Sequence, residues 1–294
     1  MTSLTDTARA KVNLTLRVLG RRPDGYHDLD SIVAFADCAD RLSLDPGRPL
    51  GLTVTGPRAA ECGALDDNLV LRVARHLGER IPGLKLGHFV LDKHLPAAAG
   101  IGGGSADAAA ALRLLAKANG LAPDDPRLLA VARATGADIP VCVASRACIM
   151  AGVGENLTPL TLPRLPCVLV NPRVAVATKD VFTALGLRHG ELRVGVSEML
   201  EAITLPQAGA SAEDWIVELA GGVNDLEAPA MKIQPLIGKV LGALRETDGV
   251  RLARMSGSGA TCFALYDTDD AARSAAQAIT RAHPEWWVHA GALS

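Results

Sequence analysis

The stretch "LPAAAGIGGGSADAAAAL", Leu95 to Leu112, places Gly100, Gly102, Gly103 and Gly104 within five positions and runs from them straight into alanine and leucine. Without a Cβ, such a backbone can take positive φ and let its N–H groups approach a ligand closely. Ser105 then opens a helix whose N-terminus carries a partial positive charge, so the segment reads as a cradle for phosphate. A tight turn with close helix packing would use the same glycines. Spacing removes two familiar nucleotide motifs. A Walker loop ends in Gly-Lys-Ser/Thr, whereas Ser105 here is followed by Ala106 and Asp107. A dinucleotide fingerprint needs a third glycine in G-x-G-x-x-G and an acidic strand end about 20 residues on, where this chain has the polar turn "LAPDDP".

The rest of the chain points to a small ligand. Its 294 residues, 49% hydrophobic, suffice for one large core or two smaller ones, and the length favours two. Lys and Arg number 30 against 32 Asp and Glu, for a net charge of −2. With no basic block, the composition offers no electrostatic footprint for nucleic acid or a membrane surface. Cys38, Cys62, Cys142, Cys148, Cys167 and Cys262 form no CxxC pair, and no His stands at a metal-ligand offset from them. They read as reduced, and most sit in apolar runs such as "VCVA" and "TCFAL", where a thiol behaves as a small buried hydrophobe. "MTSLTDTARAK" lacks the apolar core of a signal peptide, and no stretch approaches the roughly 18 apolar residues of a membrane span, so the cytoplasm is the expected location.

Periodicity supplies the elements. "KVNLTLRVLG" alternates, with Val12, Leu14, Leu16 and Val18 on one face and Lys11, Asn13, Thr15 and Arg17 on the other, as a single strand with one polar face. A Pro-Asp-Gly turn then delivers Tyr26 and His27. "RLSLDP" and "LGLTVTG" read as short strands, and a helix is expected from Asp66, with Asp66, Asp67 or Asn68 as its cap. A strand through "HFVLDKHLP" leads into the glycine loop and a helix that Asn119-Gly120 can end in the left-handed conformation. "DPRLLAVARATG" is a further helix, and "RACIMAGVGENLTPL" a strand leaving through glycines. The Pro-rich "LTPLTLPRLPC" marks the expected domain boundary, which divides the chain into 1–158 and 159–294. Beyond it follow the strand "VLVNP", the short helix "TKDVFTAL", and a closing run of strand, "SGSGA" turn, strand, Ala-rich helix and strand, an α+β arrangement.

The loop "LPAAAGIGGGSADAAAAL" resembles the P-x-x-x-G-L-G-G-S/G-S-A loop of the GHMP kinases, the superfamily of galactokinase, homoserine kinase and mevalonate kinase. "ARAKVNLTL" and "MSGSGATCFALY" are similar to two other elements of that superfamily, in order and spacing over nearly the whole chain. Within it, "AKVNLTLRVLGRRPDGYHDLDSI", "GADIPV" and "VNPRVAVATKDVF" resemble the branch whose acceptor is a cytidine diphosphate methylerythritol. The resemblance implies an α+β, two-domain GHMP kinase fold, with an N-terminal ATP-binding α/β domain and a C-terminal ferredoxin-like domain. It also implies ATP and Mg²⁺ as cofactors. Ala97-Ala98-Ala99 stand where bulkier residues are common, and Ala106 replaces a frequent second serine; either could tune nucleotide affinity, and neither removes a reacting group.

Roles follow from the resemblance. Pro96, Ala97, Ala98, Ala99, Gly100, Ile101, Gly102, Gly103, Gly104, Ser105 and Ala106 would grip the ATP phosphates, with the Ser105 hydroxyl near them or the metal. Asn68 would help to hold the adenine, although Asn also caps helices. Gly257, Ser258 and Gly259 would face the phosphate site, although "SGSGA" could serve as a plain turn. Asp138 follows Gly136 and precedes Pro140, where an N-cap is the ordinary reading. Its match to the family's catalytic aspartate makes it the base. Lys11 would be its partner, since a lysine facing a carboxylate keeps it ionised and stabilises charge on the acceptor oxygen. Asn13, on the same strand face, would orient the acceptor. Tyr26 resembles the family's base-stacking tyrosine, His27 would read a pyrimidine edge, and Phe182 would form the second wall with Thr178 beside it. A His at the surface or a Phe in a helix core would be the ordinary alternatives. "VNDLE", Val223 to Glu227, is assigned to architecture.

No carboxylate cluster identifies a metal site, and the sequence is silent on oligomeric state. Two other readings stay open: a different GHMP kinase, of the homoserine or mevalonate type, and a nucleotide-binding module without turnover.

Overall fold

The computed structural model of the chain describes residues 3–193, 205–207 and 209–294. In chain order its elements are β1 (Leu4–Asn13), β2 (Arg17–Arg21), β3 (His27–Asp45), β4 (Gly51–Thr55), α1 (Leu69–Arg80), β5 (His88–Asp92), α2 (Gly103–Asn119), α3 (Pro126–Thr135), α4 (Ile139–Ala144), β6 (Cys148–Gly152), β7 (Asn156–Pro159), β8 (Leu165–Asn171), α5 (Thr178–Leu185), α6 (Ala212–Ala220), α7 (Glu227–Ile233), α8 (Leu236–Arg245), β9 (Val250–Met255), β10 (Cys262–Tyr266), α9 (Asp269–Ala282) and β11 (Trp287–Leu293). The chain forms two compact units that alternate along it: residues 1–11, 38–97 and 102–145 in one, residues 12–37, 98–101 and 146–294 in the other.

In the first unit, Arg41–Asp45 of β3 pairs antiparallel with β5, and β4 lies parallel to β5. "RLSLDP" is therefore the far end of one long strand, β3, where a separate short strand was expected. Helix α1 begins where Asn68 accepts a hydrogen bond from the Val70 N–H, and it buries Val70, Val73, Ala74 and Leu77. It packs against α2 and α3, while α2 packs against α4. Ala108 to Leu112 of α2 are all fully buried. Small side chains all round let neighbouring elements close on this helix from every side, and Gly120, at φ 67°, ends it in the left-handed conformation. Asp125 caps α3 through the Arg127 N–H.

In the second unit, β8 is flanked by β11 and β10, and β9 pairs with β10, all antiparallel. Every residue of β8 is buried, which is why "LPCVLVN" reads as a continuous apolar run. Its core gathers Val168, Val170, Val240, Leu241, Cys262, Ala264 and Ile279. Cys142, Cys148, Cys167 and Cys262 are buried, as read from their apolar neighbours, and Cys38 and Cys62 are half-buried.

The expected single strand at "KVNLTLRVLG" is two. Strand β1 ends at Asn13; Leu14 N–H donates to the Ile32 carbonyl and Leu16 N–H to that of Val223, and β2 starts at Arg17. Its polar face is not solvated: Lys11, Asn13 and Thr15 are exposed by only 4%, 1% and 1%. Polar groups buried this deeply must be paired or must serve a ligand. Among the described residues no helix is long and apolar enough to cross a membrane.

Candidate active site

In the first unit, the Lys11 ammonium lies 3.1 Å from Asp138 Oδ1, with the lysine buried and the carboxylate 39% exposed. Asp138 occupies the N-cap position of α4, yet its side chain makes no capping hydrogen bond. The helix therefore leaves the carboxylate to Lys11. The glycine loop comes to the same place. Gly102, at φ 62°, is the N-cap of α2 and supplies no side-chain cap, so the first-turn N–H groups of Gly103 to Ser105 are available to an anion. A Cβ on Gly102 would stand 3.3 Å from the Lys11 Cβ and 3.5 Å from its Cε. The bare residue lets the loop lie along the lysine stem. Gly103 has more room, its nearest neighbour being Lys93 Nζ at 3.5 Å from an added Cβ. Beside the ion pair, burial, then the charge of Asp138, pushes the Cys142 thiol up to about 12, so it is no nucleophile at neutral pH. Asn68 Oδ1 caps α1.

Beneath the loop is a charge cluster that sequence reasoning missed. Lys93 Nζ donates to Asp40 Oδ2 at 2.5 Å and to Asp107 Oδ2 at 2.7 Å, and all three side chains are buried. Asp40 Oδ1 accepts the N–H groups of His94 and Leu95. Asp107 Oδ1 is buried with no partner. Burial pushes the Asp107 carboxyl up to about 7, with Lys93 pulling the other way. Burial would lower the Lys93 ammonium, but Asp107 and Asp40 outweigh it and hold it up at about 12. Lys93 and Asp107 are fourteen positions apart and enclose the glycine loop, so their pairing closes it at the base. A signal existed: Asp107 is the lone carboxylate in an apolar run, "ADAAAALRLLA".

In the second unit, Ser256 Oγ accepts the Asn13 N–H at 3.1 Å and donates to the Gly100 carbonyl at 3.2 Å. Asn13 Nδ2 donates to Ser31 Oγ at 2.7 Å, which leaves Asn13 Oδ1 buried and unpartnered. The Ser256–Gly259 turn meets the loop backbone to backbone: a Cβ on Gly100 would stand 2.5 Å from the Gly259 carbonyl oxygen. The Ala99 carbonyl accepts the Thr261 N–H. Asn224, in the "VNDLE" segment read as architecture, donates to the carbonyls of Met255 and Gly257 and so braces this turn. Ser258 Oγ lies 2.8 Å from Thr178 Oγ1. Ala98 takes φ 49°, an uncommon conformation for a residue with a side chain.

The same unit carries the aromatic residues. His27 stacks on Phe182 with ring centroids 4.4 Å apart and planes at 25°. Tyr26, expected to enclose a base together with Phe182, is 62% exposed and stacks on no ring among the described residues. His27 Nε2 is buried without a partner. Burial, then the charges of Arg21 and His189, lowers the imidazole below its usual value, so it is neutral near pH 7 and offers one donor and one acceptor.

A lysine-paired carboxylate beside a glycine-capped helix N-terminus suits phosphoryl transfer, which asks of a protein chiefly positioning and charge. Residues 68–146 match the model of the GHMP kinases N-terminal domain, and residues 200–285 that of the GHMP kinases C-terminal domain. The chain is 68% identical over 292 residues to the 4-diphosphocytidyl-2-C-methyl-D-erythritol kinase of Rhodopseudomonas palustris (strain ATCC BAA-98 / CGA009), covering 99% of this chain and 98% of the relative. The chain belongs to the 4-diphosphocytidyl-2-C-methyl-D-erythritol kinase family. A crystal structure of 4-(cytidine 5'-diphospho)-2C-methyl-D-erythritol kinase aligns at a TM-score of 0.76 and 36% identity, covering 99% of each chain. A homoserine kinase from Cytophaga hutchinsonii aligns at 0.71 with 18% identity, covering 99% of this chain and 95% of that one, a likeness of fold alone. The fold is the two-domain GHMP kinase fold expected from the loop, and the chain is an ATP-dependent kinase.

Proposed function

We propose that the chain transfers the γ-phosphoryl group of ATP to the 2-hydroxyl of 4-diphosphocytidyl-2-C-methyl-D-erythritol, in the non-mevalonate route to isoprenoid precursors, with Lys11 and Asp138 as the catalytic pair. The observation that carries this reading is the 3.1 Å contact of Lys11 Nζ with a carboxylate that its own helix does not use. The acceptor oxygen forms its bond to the γ-phosphorus as the bond to the β,γ-bridging oxygen breaks, ADP leaves, and the hydroxyl proton passes to Asp138. The Lys11 charge steadies the developing alkoxide. Residues 96–106 hold the phosphates, Asn68 the adenine, and Gly257 to Gly259 the loop from behind. Asn13, whose Oδ1 is buried and unpartnered, orients the acceptor. Cytosine stacks between Tyr26 and Phe182, His27 reads the base edge through Nε2, and Thr178 adds a polar contact.

Magnesium fits as an ion carried in with the nucleotide. Among the described residues no group of three or more His, Cys, Asp or Glu could hold a metal. Mg²⁺ asks a protein for only one or two oxygens when phosphates and water complete its octahedron. The Ser105 hydroxyl would supply one. When bound, the ion offsets charge on the phosphate oxygens. We place the domain division at 158/159, and the chain in the cytoplasm acting on a small molecule.

ATP turnover by the purified protein with the cytidine substrate, homoserine and mevalonate tests the acceptor; equal use of homoserine would replace it. Asp138→Asn should lower kcat by about 10²–10⁴-fold with substrate binding retained, the scale of a lost general base. Near-normal kcat would remove Asp138 from the mechanism.

A further inference from the structure

We infer that Arg21 is a positioning residue of the base-reading site, tying the turn that carries Tyr26 and His27 to the chain that leaves the Phe182 helix. The inference rests on the cytidine reading above. Arg21 ends β2 directly opposite His27 at the start of β3. Its Nη1 donates to the Leu187 carbonyl at 3.0 Å, just past the end of α5, and its Nε to the Gly25 carbonyl at 3.4 Å. One planar guanidinium thus spans the turn before Tyr26 and the segment after Phe182, a span that its rigid fork of donors suits and a single ammonium does not. The backbone repeats the link: Arg21 N–H donates to the Glu191 carbonyl, and Gly190 N–H to the carbonyl of Arg21.

The arrangement has a reason beyond general stability. The turn is short and exposed, and among the described residues Tyr26 makes no ring contact that would hold it in place. The stacking of His27 on Phe182 needs both segments held at a fixed separation. A base-reading nitrogen is useful only when it is aimed before the ligand arrives. The Arg21 charge also faces His27, together with that of His189, and both favour the neutral imidazole.

Steady-state kinetics of Arg21→Gln and Arg21→Lys, with Phe182→Ala alongside, tests this. Arg21→Gln should raise KM for the cytidine substrate about 10-fold, the scale of a lost charge-assisted hydrogen bond, while kcat and the KM for ATP stay within about 2-fold. Preference for the cytidine substrate over its uridine analogue should fall as well. Arg21→Lys, which can reach one carbonyl but not both, should lie between. An unchanged KM in Arg21→Gln while Phe182→Ala raises it overturns the inference and leaves the cytidine reading standing. If Phe182→Ala also leaves KM unchanged, the cytidine reading is what has failed, and the inference goes with it. A matching rise in both KM values with a lowered melting temperature in both Arg21 variants would make Arg21 a general fold contact and overturn its assignment to the base site.

Discussion

Replacing Lys93 by Met removes the cation from a cluster almost wholly shut off from water. Asp40 is fully buried, Asp107 is 4% exposed, and both lose a short contact to the ammonium. Breaking a buried ion pair by deleting one partner costs about 3–5 kcal/mol, because a buried charge is left uncompensated. Two features place this case at the low end. The Asp107 carboxyl already sits at about 7, so in the variant it takes up a proton at neutral pH instead of staying charged. Asp40 keeps the N–H groups of His94 at 2.6 Å and Leu95 at 2.8 Å. We expect a loss of about 3 kcal/mol in urea unfolding at pH 7, read from the first unit. Adding Asp107→Leu should recover part of it, since an apolar pair is tolerated better than a half-satisfied polar one. Opening the base of the glycine loop should also raise the KM for ATP. A loss below about 1 kcal/mol, the value of an exposed pair, would refute the account of the cluster as a buried clasp.

Two further outcomes are expected. Gly100→Ala should abolish ATP binding measured by calorimetry, because the added Cβ would stand 2.5 Å from the Gly259 carbonyl oxygen at a residue with φ 74°, whereas Gly103→Ala, with its nearest neighbour at 3.5 Å, should bind ATP nearly normally. Equal effects of the two would show that the loop is not held as described. Lowering the pH should leave KM for the cytidine substrate flat from pH 8 to about 6.5 and raise it only below, since the folded-state imidazole of His27 titrates below its usual value and the charged ring loses its acceptor. A rise that begins near pH 7.5, and that His27→Asn does not remove, would take His27 out of base recognition.

Most of the secondary structure was legible because its causes are local. Asn68, Asp125 and Gly120 mark helix ends through hydrogen bonds or dihedral angles that involve only neighbours in sequence. The glycine loop announced itself for the same reason: positive φ and close approach are properties of the residues themselves. The break between β1 and β2 escaped, because the alternation of apolar residues continues through Leu14 and Leu16 while the hydrogen bonds of those residues go to Ile32 and Val223. The cluster at Lys93 escaped because a charged residue after a strand looks the same in sequence whether it ends in water or between two carboxylates.

The order of elements, the caps and the bare loop were thus set by interactions within a turn or two of chain, where sterics and short hydrogen bonds leave few choices. Tertiary structure alone decided which polar groups meet. It brings Lys11 to Asp138, hangs Asn13 on Ser256 across a separation of 243 residues, and sets His27 on Phe182. The reason is energetic as well as geometric. A side chain's identity states that it carries a charge or a donor, but burial and the partner it finds decide what that charge does, and both are properties of the packed chain.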